Sequence, residues 1–329
     1  MQVDRDKVIK INEWMEIFKD IYSKPDSKTT PEQMWIAVMA HSSSIGESIR
    51  KFSFESLLNS TSHTFCWLCS FVNKCNTLDD DIFSIKGYLP EIVSLKYPMV
   101  CGHCQGKPCN CDPVKMERQK DKSAMYKQLL ERRKRILASF QSYCIEDSCK
   151  EFDDIYGGRI HIQSLENIGY HFMEEIGEAA VCIRQLSQLR EITKYSNTKI
   201  DVNFIRQLST IEGIVNNYVS IKPPKDINYA SRNPNMLKAR VVEAKMGLVI
   251  EIGDSFSWFC SILNKLNSIS LSIYDHPKEH PEILKPLETV LKEEYLDSSG
   301  QPRCPSCKRS HCECVFYNVT TRKRQHYKK

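Results

Sequence analysis

Four blocks of this 329-residue chain occur twice in the same order, and that repeat limits the fold more than any single motif does. Phe18-Lys-Asp-Ile-Tyr22 is answered by Phe152-Asp-Asp-Ile-Tyr156, and Ile45-Gly-Glu47 by Ile176-Gly-Glu178. His63 to Asn76 matches Asp254 to Asn267 register for register, including Trp67/Trp258, Asn73/Asn264, Lys74/Lys265 and Asn76/Asn267. The spacing C-x2-C-x4-C-x-C closes both copies, as Cys101, Cys104, Cys109, Cys111 and as Cys304, Cys307, Cys312, Cys314. Matched blocks in one order mean an internal duplication, so the chain has two equivalent units to pack. The expected organisation is a first half with its cysteine cluster over 1–111 and a long charged connecting helix over 112–145. A second half with its own cluster follows over 146–314, carrying an insertion at 190–240, and then a basic tail over 315–329.

The local text is helical. Gly supplies 12 of the 329 residues, well under the ~7% of average usage, which disfavours turn-rich β architecture. Ile11 to Tyr22 places Trp14, Met15, Ile17, Phe18 and Ile21 at helical spacing. Thr30-Pro-Glu-Gln33 combines a capping box with proline at the first helical position, so a second helix starts there. A third is expected over Glu55–Asn76. No Gly or Pro lies between Pro113 and Gly157, which predicts one helix from Lys115 to about Tyr143. The insertion contains a further helix, Asp201 to Val219. The loop Ile221–Asn235 after it is rich in Pro, Asn and Lys, the composition of an exposed excursion. Lys222, Lys225, Arg232 and Lys238 could reach a triphosphate there, although solvated loop residues are the simpler reading. The expected fold is all-α. No apolar run reaches ~18 residues, so no membrane span is expected. The N-terminus has no secretory h-region, and clustered cysteines read as zinc ligands in a reducing, cytoplasmic setting rather than as disulfides.

The chemistry-bearing text is acidic. Glu174, Glu175 and Glu178 fall on one edge of a helix that is otherwise apolar (Phe172, Met173, Ile176, Ala179, Ala180), because residues three and four apart are neighbours on a helix surface. Glu251 and Asp254 repeat the pattern inside a second apolar run. Carboxylates gathered without basic partners repel, and a hard divalent cation such as Mg²⁺ relieves the repulsion. The first half has Ser43 and Ser44 opposite Glu174 and Glu175, and Ser60 and His63 opposite Glu251 and Asp254; of the five acids it keeps only Glu47, opposite Glu178. One competent site per chain is therefore expected, in the second half.

Glu-Glu-x-x-Glu followed on a later helix by Glu-x-x-Asp resembles the MazG-like, all-α nucleoside triphosphate pyrophosphohydrolases. The resemblance implies two helical bundle halves forming a pseudo-dimer, the first degenerate, each followed by a zinc knuckle. It implies a Mg²⁺- (or Mn²⁺-) dependent hydrolase that converts an NTP or dNTP to the monophosphate and pyrophosphate. By motif position, Glu174, Glu175, Glu178 and Asp254 resemble the metal ligands, Glu251 is a further ligand or lies just behind them, and Glu175 is the favoured base. Lys265, 11 residues after Asp254, could meet phosphate, and Asn264 and Asn267 could read sugar or base; their retention in the first half equally suits packing between copies. The family also implies dimers or higher assemblies. The chain departs from the family in its insertion, since there the two acidic motifs usually sit on neighbouring helices.

Four thiols within 11 residues suit tetrahedral Zn²⁺, and such sites are usually closed and structural. His103 and His311 lie inside the two clusters as substitute ligands, whereas Cys66 and Cys69, in an apolar helix, read as buried thiols. Trp67 and Trp258 read as packing anchors before stacking platforms. Lys308-Arg309 and the tail Arg322–Lys329 leave nucleic-acid phosphate as a less favoured partner. The alternative function is thus a non-catalytic, nucleotide-sensing or nucleic-acid-binding zinc adaptor. It has no use for an acid set kept in one half only.

Overall fold

A computed structural model of the chain describes residues 3–111, 122–195, 200–221, 233–274 and 286–314. Among these it is all-α, with no strand and two isolated bridges, Lys86 to Thr210 and Leu296 to Pro302. The helices are α1 (Ile11–Lys28), α2 (Pro31–Arg50), α3 (Phe54–Thr77), α4 (Leu89–Lys96), α5 (Lys122–Phe140) and α6 (Ile145–Ile160). They continue with α7 (Leu165–Tyr195), α8 (Val202–Gln207), α9 (Ile211–Ser220), α10 (Pro234–Tyr274) and α11 (Leu287–Tyr295).

The expected helix starts hold where capping chemistry sets them. Thr30 accepts from the Gln33 N–H at 3.3 Å, and the Gln33 side chain returns to the Thr30 N–H at 3.0 Å. Helix α1 outruns its amphipathic stretch by six residues and absorbs Pro25 in its last turns. The helix expected over Asp201–Val219 is two helices, α8 and α9. Thr210 breaks them, because its hydroxyl accepts from the Gly213 N–H and caps a new start. The connecting helix is described only from Lys122, and its expected start at Lys115 lies outside the described residues. So do Lys222, Lys225 and Arg232, and the tail from 315. Lys238 falls on α10, its ammonium 5.1 Å from the Phe204 ring centroid.

One apolar core runs through both halves of the sequence. Its centre is α7 against α10, α2 against α3, and α2 against α7. Trp35 is 2% exposed and donates its indole N–H to Ile176 O at 3.2 Å, binding α2 to α7. By length and hydropathy, Pro234–Ile269 of α10 is apolar enough to cross a membrane, which the expectation from apolar runs did not include. Of its apolar 18-residue window 83% is buried inside the protein, where α10 acts as the axial core helix.

The duplication reappears as duplicated contacts. Helix α1 packs on α3 as α6 packs on α10. Asn73 donates to Met15 O at 2.7 Å, and its counterpart Asn264 donates to Cys149 O at 2.8 Å. Phe18 meets Phe65 edge-on at 6.0 Å, and Phe152 meets Phe256 at 6.3 Å. The short helix before each cysteine cluster, however, crosses to the other half. First-half α4 packs on α10, and second-half α11 packs on α3. Tyr97, directly after α4, stands edge-on to Phe152 at 5.2 Å, and Tyr295 stands edge-on to Phe18 at 5.0 Å. Backbone bonds lock the crossover: Cys109 N–H to Ile155 O (2.8 Å) and Cys312 N–H to Ile21 O (2.6 Å). Each half of the sequence therefore finishes the other, and 1–111 and 146–314 are not separate packing units.

The connecting helix is clamped by Arg133, 3% exposed, which donates to Glu91 O and Ser94 Oγ and pairs with Glu212 at 2.5 Å. A second buried cation sits in α10. Lys245 is fully buried and donates to Ser84 O at 2.6 Å, joining α10 to the loop before α4. Burial pushes its pKa down from 10.5 to about 7, against the opposing pull of Cys75 and Asp81. The unfolded chain thus keeps a proton on this lysine over that interval that the folded chain does not, so the contribution of Lys245 to stability rises with pH from about 7 towards 10.5, opposed by groups such as Cys75 and Glu251 whose pKa burial raises. Thermal melts of the parent and of Lys245→Met across this range should therefore diverge, the parent gaining on the variant with rising pH by on the order of a few kcal/mol in all. A variant with the parent's slope would contradict the assignment.

Candidate functional site

The core position of α7 and α10 brings their acids together. One carboxylate oxygen from each of Glu175, Glu251 and Asp254 lies within 4.8 Å of the others, a group that could hold a metal ion. Asp254 is 6% exposed, while Glu175 and Glu251 are half-buried. Trp258, one turn beyond Asp254, donates its indole N–H to Glu175 Oε1 at 3.3 Å, and the His171 ring stacks on Trp258 at 4.7 Å.

The electrostatics are those of acids crowded out of water. Burial, and then the charge of Asp254, raises the Glu175 carboxyl above its usual range. The same two causes, with a hydrogen bond to Glu175, push Glu251 up to about 8. Glu251 Oε2 is buried with no donor facing it. A proton on Glu251 lets it donate to Glu175; a cation would satisfy the same oxygens without one.

Two further residues complete the cluster, and both come from the crossing first-half segment. Lys96, the last residue of α4, donates to Asp254 Oδ2, and the Tyr97 hydroxyl donates to Asp254 Oδ1. Burial and then the Asp254 charge raise the Tyr97 phenol well above its ordinary value. Neither residue was singled out from the sequence. A signal was there: Leu89–Tyr97 aligns with Leu287–Tyr295, so that Tyr97 answers Tyr295 and Lys96 answers Glu294. At the matching place in the other half, Glu294 accepts from Ser62 and stands 3.5 Å from His63 Nε2. The two junctions share a geometry and have opposite polarity.

The other expected site residues lie elsewhere. Glu174 is exposed, its carboxylate 3.2 Å from His171 Nδ1, and it does not join the three-acid group. Glu178 is exposed at the rim, near enough for its charge to act on Glu175 and Cys182 but outside the group. Lys265 donates to His161 O at 3.0 Å and Asn264 to Cys149 O, so both side chains are engaged with the end and middle of α6. Their first-half counterparts do the same for α1, with Lys74 on Asp26 O at 2.9 Å. Asn267 is exposed. Trp67 is buried, as an anchor should be, whereas Trp258 is partly exposed beside the acids.

Both cysteine quartets close as expected. Cys101, Cys104, Cys109 and Cys111 bring their sulfurs within 4.8 Å of one another, and so do Cys304, Cys307, Cys312 and Cys314. The Cys101–Cys111 sulfurs are 3.5 Å apart and the Cys304–Cys314 sulfurs 4.0 Å. A zinc tetrahedron with Zn–S of ~2.3 Å has S–S edges near ~3.8 Å, so each quartet fits Zn²⁺. Backbone N–H groups of His103 and Asn110 point at Cys101 and Cys104 sulfurs, at 3.5 and 3.4 Å, which favours thiolate. Neither histidine belongs to a quartet, and His311 Nδ1 instead faces Asp20 O at 2.9 Å. Cys66 and Cys69 are buried thiols, and burial pushes Cys69 well up. The first quartet is close to the acid cluster: Tyr156 is raised by burial first, then by Cys101 and Cys109, and also by Asp254.

Comparison with protein-family models, with curated protein sequences and with solved structures returns no match. The class is therefore set by the fold and its sites: an all-α protein with two four-cysteine groups that could hold zinc.

Proposed function

We propose that the chain is a cytoplasmic, divalent-metal-dependent nucleoside triphosphate pyrophosphohydrolase with one active site, built on Glu175, Glu251 and Asp254. The observation that carries this reading is the convergence of those three carboxylates from two distant stretches, Asp254 buried and the two glutamates half-buried, with one oxygen lacking any donor. A purely structural cluster gains nothing from crowding acids whose mutual charge raises their pKa values. The oxygen-only donor set suits Mg²⁺ or Mn²⁺, which take carboxylates while leaving positions for water and phosphate. Bound there, the ion would supply charge neutralisation and polarise phosphoryl oxygens.

The protein's own groups then have distinct tasks. Asp254, held at both oxygens by Lys96 and Tyr97, is the fixed ligand. Glu251 is the ligand that must shed a proton when a cation enters, and Glu175 accepts its hydrogen bond until then. Glu175, its Oε1 oriented by Trp258, is also the group placed to accept a proton from an attacking water. Glu178 at the rim is suited to the outer hydration of the ion, and Glu174 is peripheral. In this reading the two halves stand to each other as a MazG-like dimer does, made within one chain. The first half, which keeps only Glu47 of the five acids, serves as scaffold and as the source of Lys96 and Tyr97.

In the alternative, zinc-adaptor reading the helical halves are scaffold and the four-cysteine groups and tail do the binding, so that the Lys96–Asp254 pair and its polarity-reversed twin at Glu294 only latch the halves together. Pyrophosphate release across a panel of NTPs and dNTPs with Mg²⁺ or Mn²⁺ separates the two. Turnover of at least one nucleotide, lost on metal removal, is expected. No turnover with any of them would transfer the assignment to the adaptor.

A further inference from the structure

We propose that Lys96 is an exchangeable resident cation: it balances the acid cluster until a divalent ion enters, and then moves from Asp254 to a phosphate oxygen of the bound triphosphate. This rests on the pyrophosphohydrolase reading and adds a residue and a step to it.

Three observations support it. First, the cluster gathers three carboxylates, with Glu178 at its rim, and Lys96 is the cation paired with it among the described residues. Second, packing does not dictate that polarity. The matched junction in the other half is built with an acid, Glu294, on the crossing segment, facing Ser62 and His63 on α3. The same crossover, with the same tyrosine-on-phenylalanine contact, thus tolerates either sign on the crossing helix. A cation on the acid-bearing side answers to the acids, not to the fold. Third, Lys96 is the last residue of α4, and its side chain keeps 12% of its surface exposed. The ammonium ends a flexible four-carbon stem whose donors can be re-aimed without moving the helix.

The exchange follows from charge. A divalent ion taking the Asp254, Glu175 and Glu251 oxygens would stand within a few ångströms of the Lys96 ammonium, and two cations at that range in a half-buried site repel strongly. Tyr97 keeps its bond to Asp254, so the carboxylate stays in place while the ammonium leaves. The nearest new anion is the substrate's polyphosphate, which the ion itself draws in. No bond is made or broken; Lys96 only changes its anionic partner.

The signature is a pair of effects with opposite signs, which loss of a structural contact would not give. Mn²⁺ alone is titrated into the full-length zinc-loaded protein and followed by electron paramagnetic resonance. An α,β-methylene triphosphate, which resists cleavage at that bond, is then titrated in the presence of saturating Mn²⁺. Lys96→Met, which keeps the apolar stem, should bind Mn²⁺ about tenfold or more tightly and the triphosphate analogue about tenfold or more weakly. Lys96→Arg should stay near the parent in both, and Glu294→Gln, at the twin junction, should change neither. If Lys96→Met weakens both ligands together, or alters neither while Lys96→Arg folds and melts like the parent, the exchange is overturned. A parent that binds no Mn²⁺ and cleaves no nucleotide defeats the pyrophosphohydrolase reading itself. A parent that binds and cleaves but lacks the opposed shifts defeats only the role of Lys96.

Discussion

Asp254→Asn should reduce pyrophosphate release about 10³-fold while leaving the protein folded. Asp254 is the one acid of the cluster that is almost fully buried, and it is held at both oxygens by groups from the other half. Asparagine fills the same space but offers one weak carbonyl ligand, so a hard cation loses its anchoring charge. Glu175→Gln and Glu251→Gln should each cost roughly 10²–10⁴-fold, the usual range when a base or an electrostatic stabiliser is removed. Glu174→Gln should stay within about threefold, because its carboxylate sits outside the group beside His171. Glu178→Gln should fall between these limits. The stability readout runs the other way. Glu175 and Glu251 are raised by burial and by the Asp254 charge, so neutralising either removes a repulsion that the metal-free fold carries. Both glutamine variants should melt at or above the parent temperature without metal. Loss of activity together with unchanged or higher stability distinguishes acids retained for chemistry from acids retained for packing. A Glu251→Gln variant that unfolded and kept its specific activity per folded molecule would reverse the assignment.

The second large effect concerns zinc. Purified protein should carry two zinc ions per chain, and Cys104→Ser or Cys307→Ser should each leave one. A structural zinc site contributes directly to folding free energy, and losing one should lower the melting temperature by about 10 °C or more. The functional consequences should differ between the two. The first quartet follows Lys96 and Tyr97 within a few residues and is tied to α6 through Cys109 and Ile155. Gly102 packs so closely on Lys96 that a Cβ there would fall 2.7 Å from Lys96 O. Freeing that loop frees the Asp254 clamp, so Cys104→Ser should lose activity out of proportion to its stability. The second quartet is tied to α1 through Cys312 and Ile21, and its crossing helix bears on His63 of α3 and not on Asp254. Cys307→Ser should be destabilised and yet, below its melting temperature, keep most of its activity. Atomic-absorption zinc counts, melts and pyrophosphate release on the two variants check this. Equal losses of activity at matched folded fractions would remove the proposed link between the first quartet and the acid site.

Much of this architecture can be read from the residues because it is periodic or repeated. The capping chemistry at Thr30, the apolar stripe of α1 and the span of α3 follow from local spacing. The two quartets follow from a spacing preserved twice. The crossover does not follow. Which half a short helix such as α4 lies against depends on long-range packing of Tyr97 on Phe152, and pattern alone cannot tell α6 from its duplicate α1. For the same reason Lys96 and Tyr97 do not stand out in the sequence, although Asp254, the acid they hold, does. On a helix Glu174 and Glu175 lie about 100° apart with Glu178 between them, a face wide enough that of the three only Glu175 joins the α10 acids. Retention of Asn264 and Lys265 in both halves is explained by α6 and α1, whose backbones they hold in the same way. The split of the insertion helix at Thr210 turned on one side-chain cap inside an otherwise continuous helical pattern.

The central claim, that acids from α7 and α10 share one divalent ion, is tested most directly by crystals of the zinc-loaded protein soaked in Mn²⁺ and measured at the manganese absorption edge. The account predicts an anomalous peak about 2.0–2.3 Å from oxygens of Glu175, Glu251 and Asp254, with the Lys96 ammonium displaced from Asp254. Absence of manganese there at saturating concentration, with Lys96 still seated on Asp254, would contradict it.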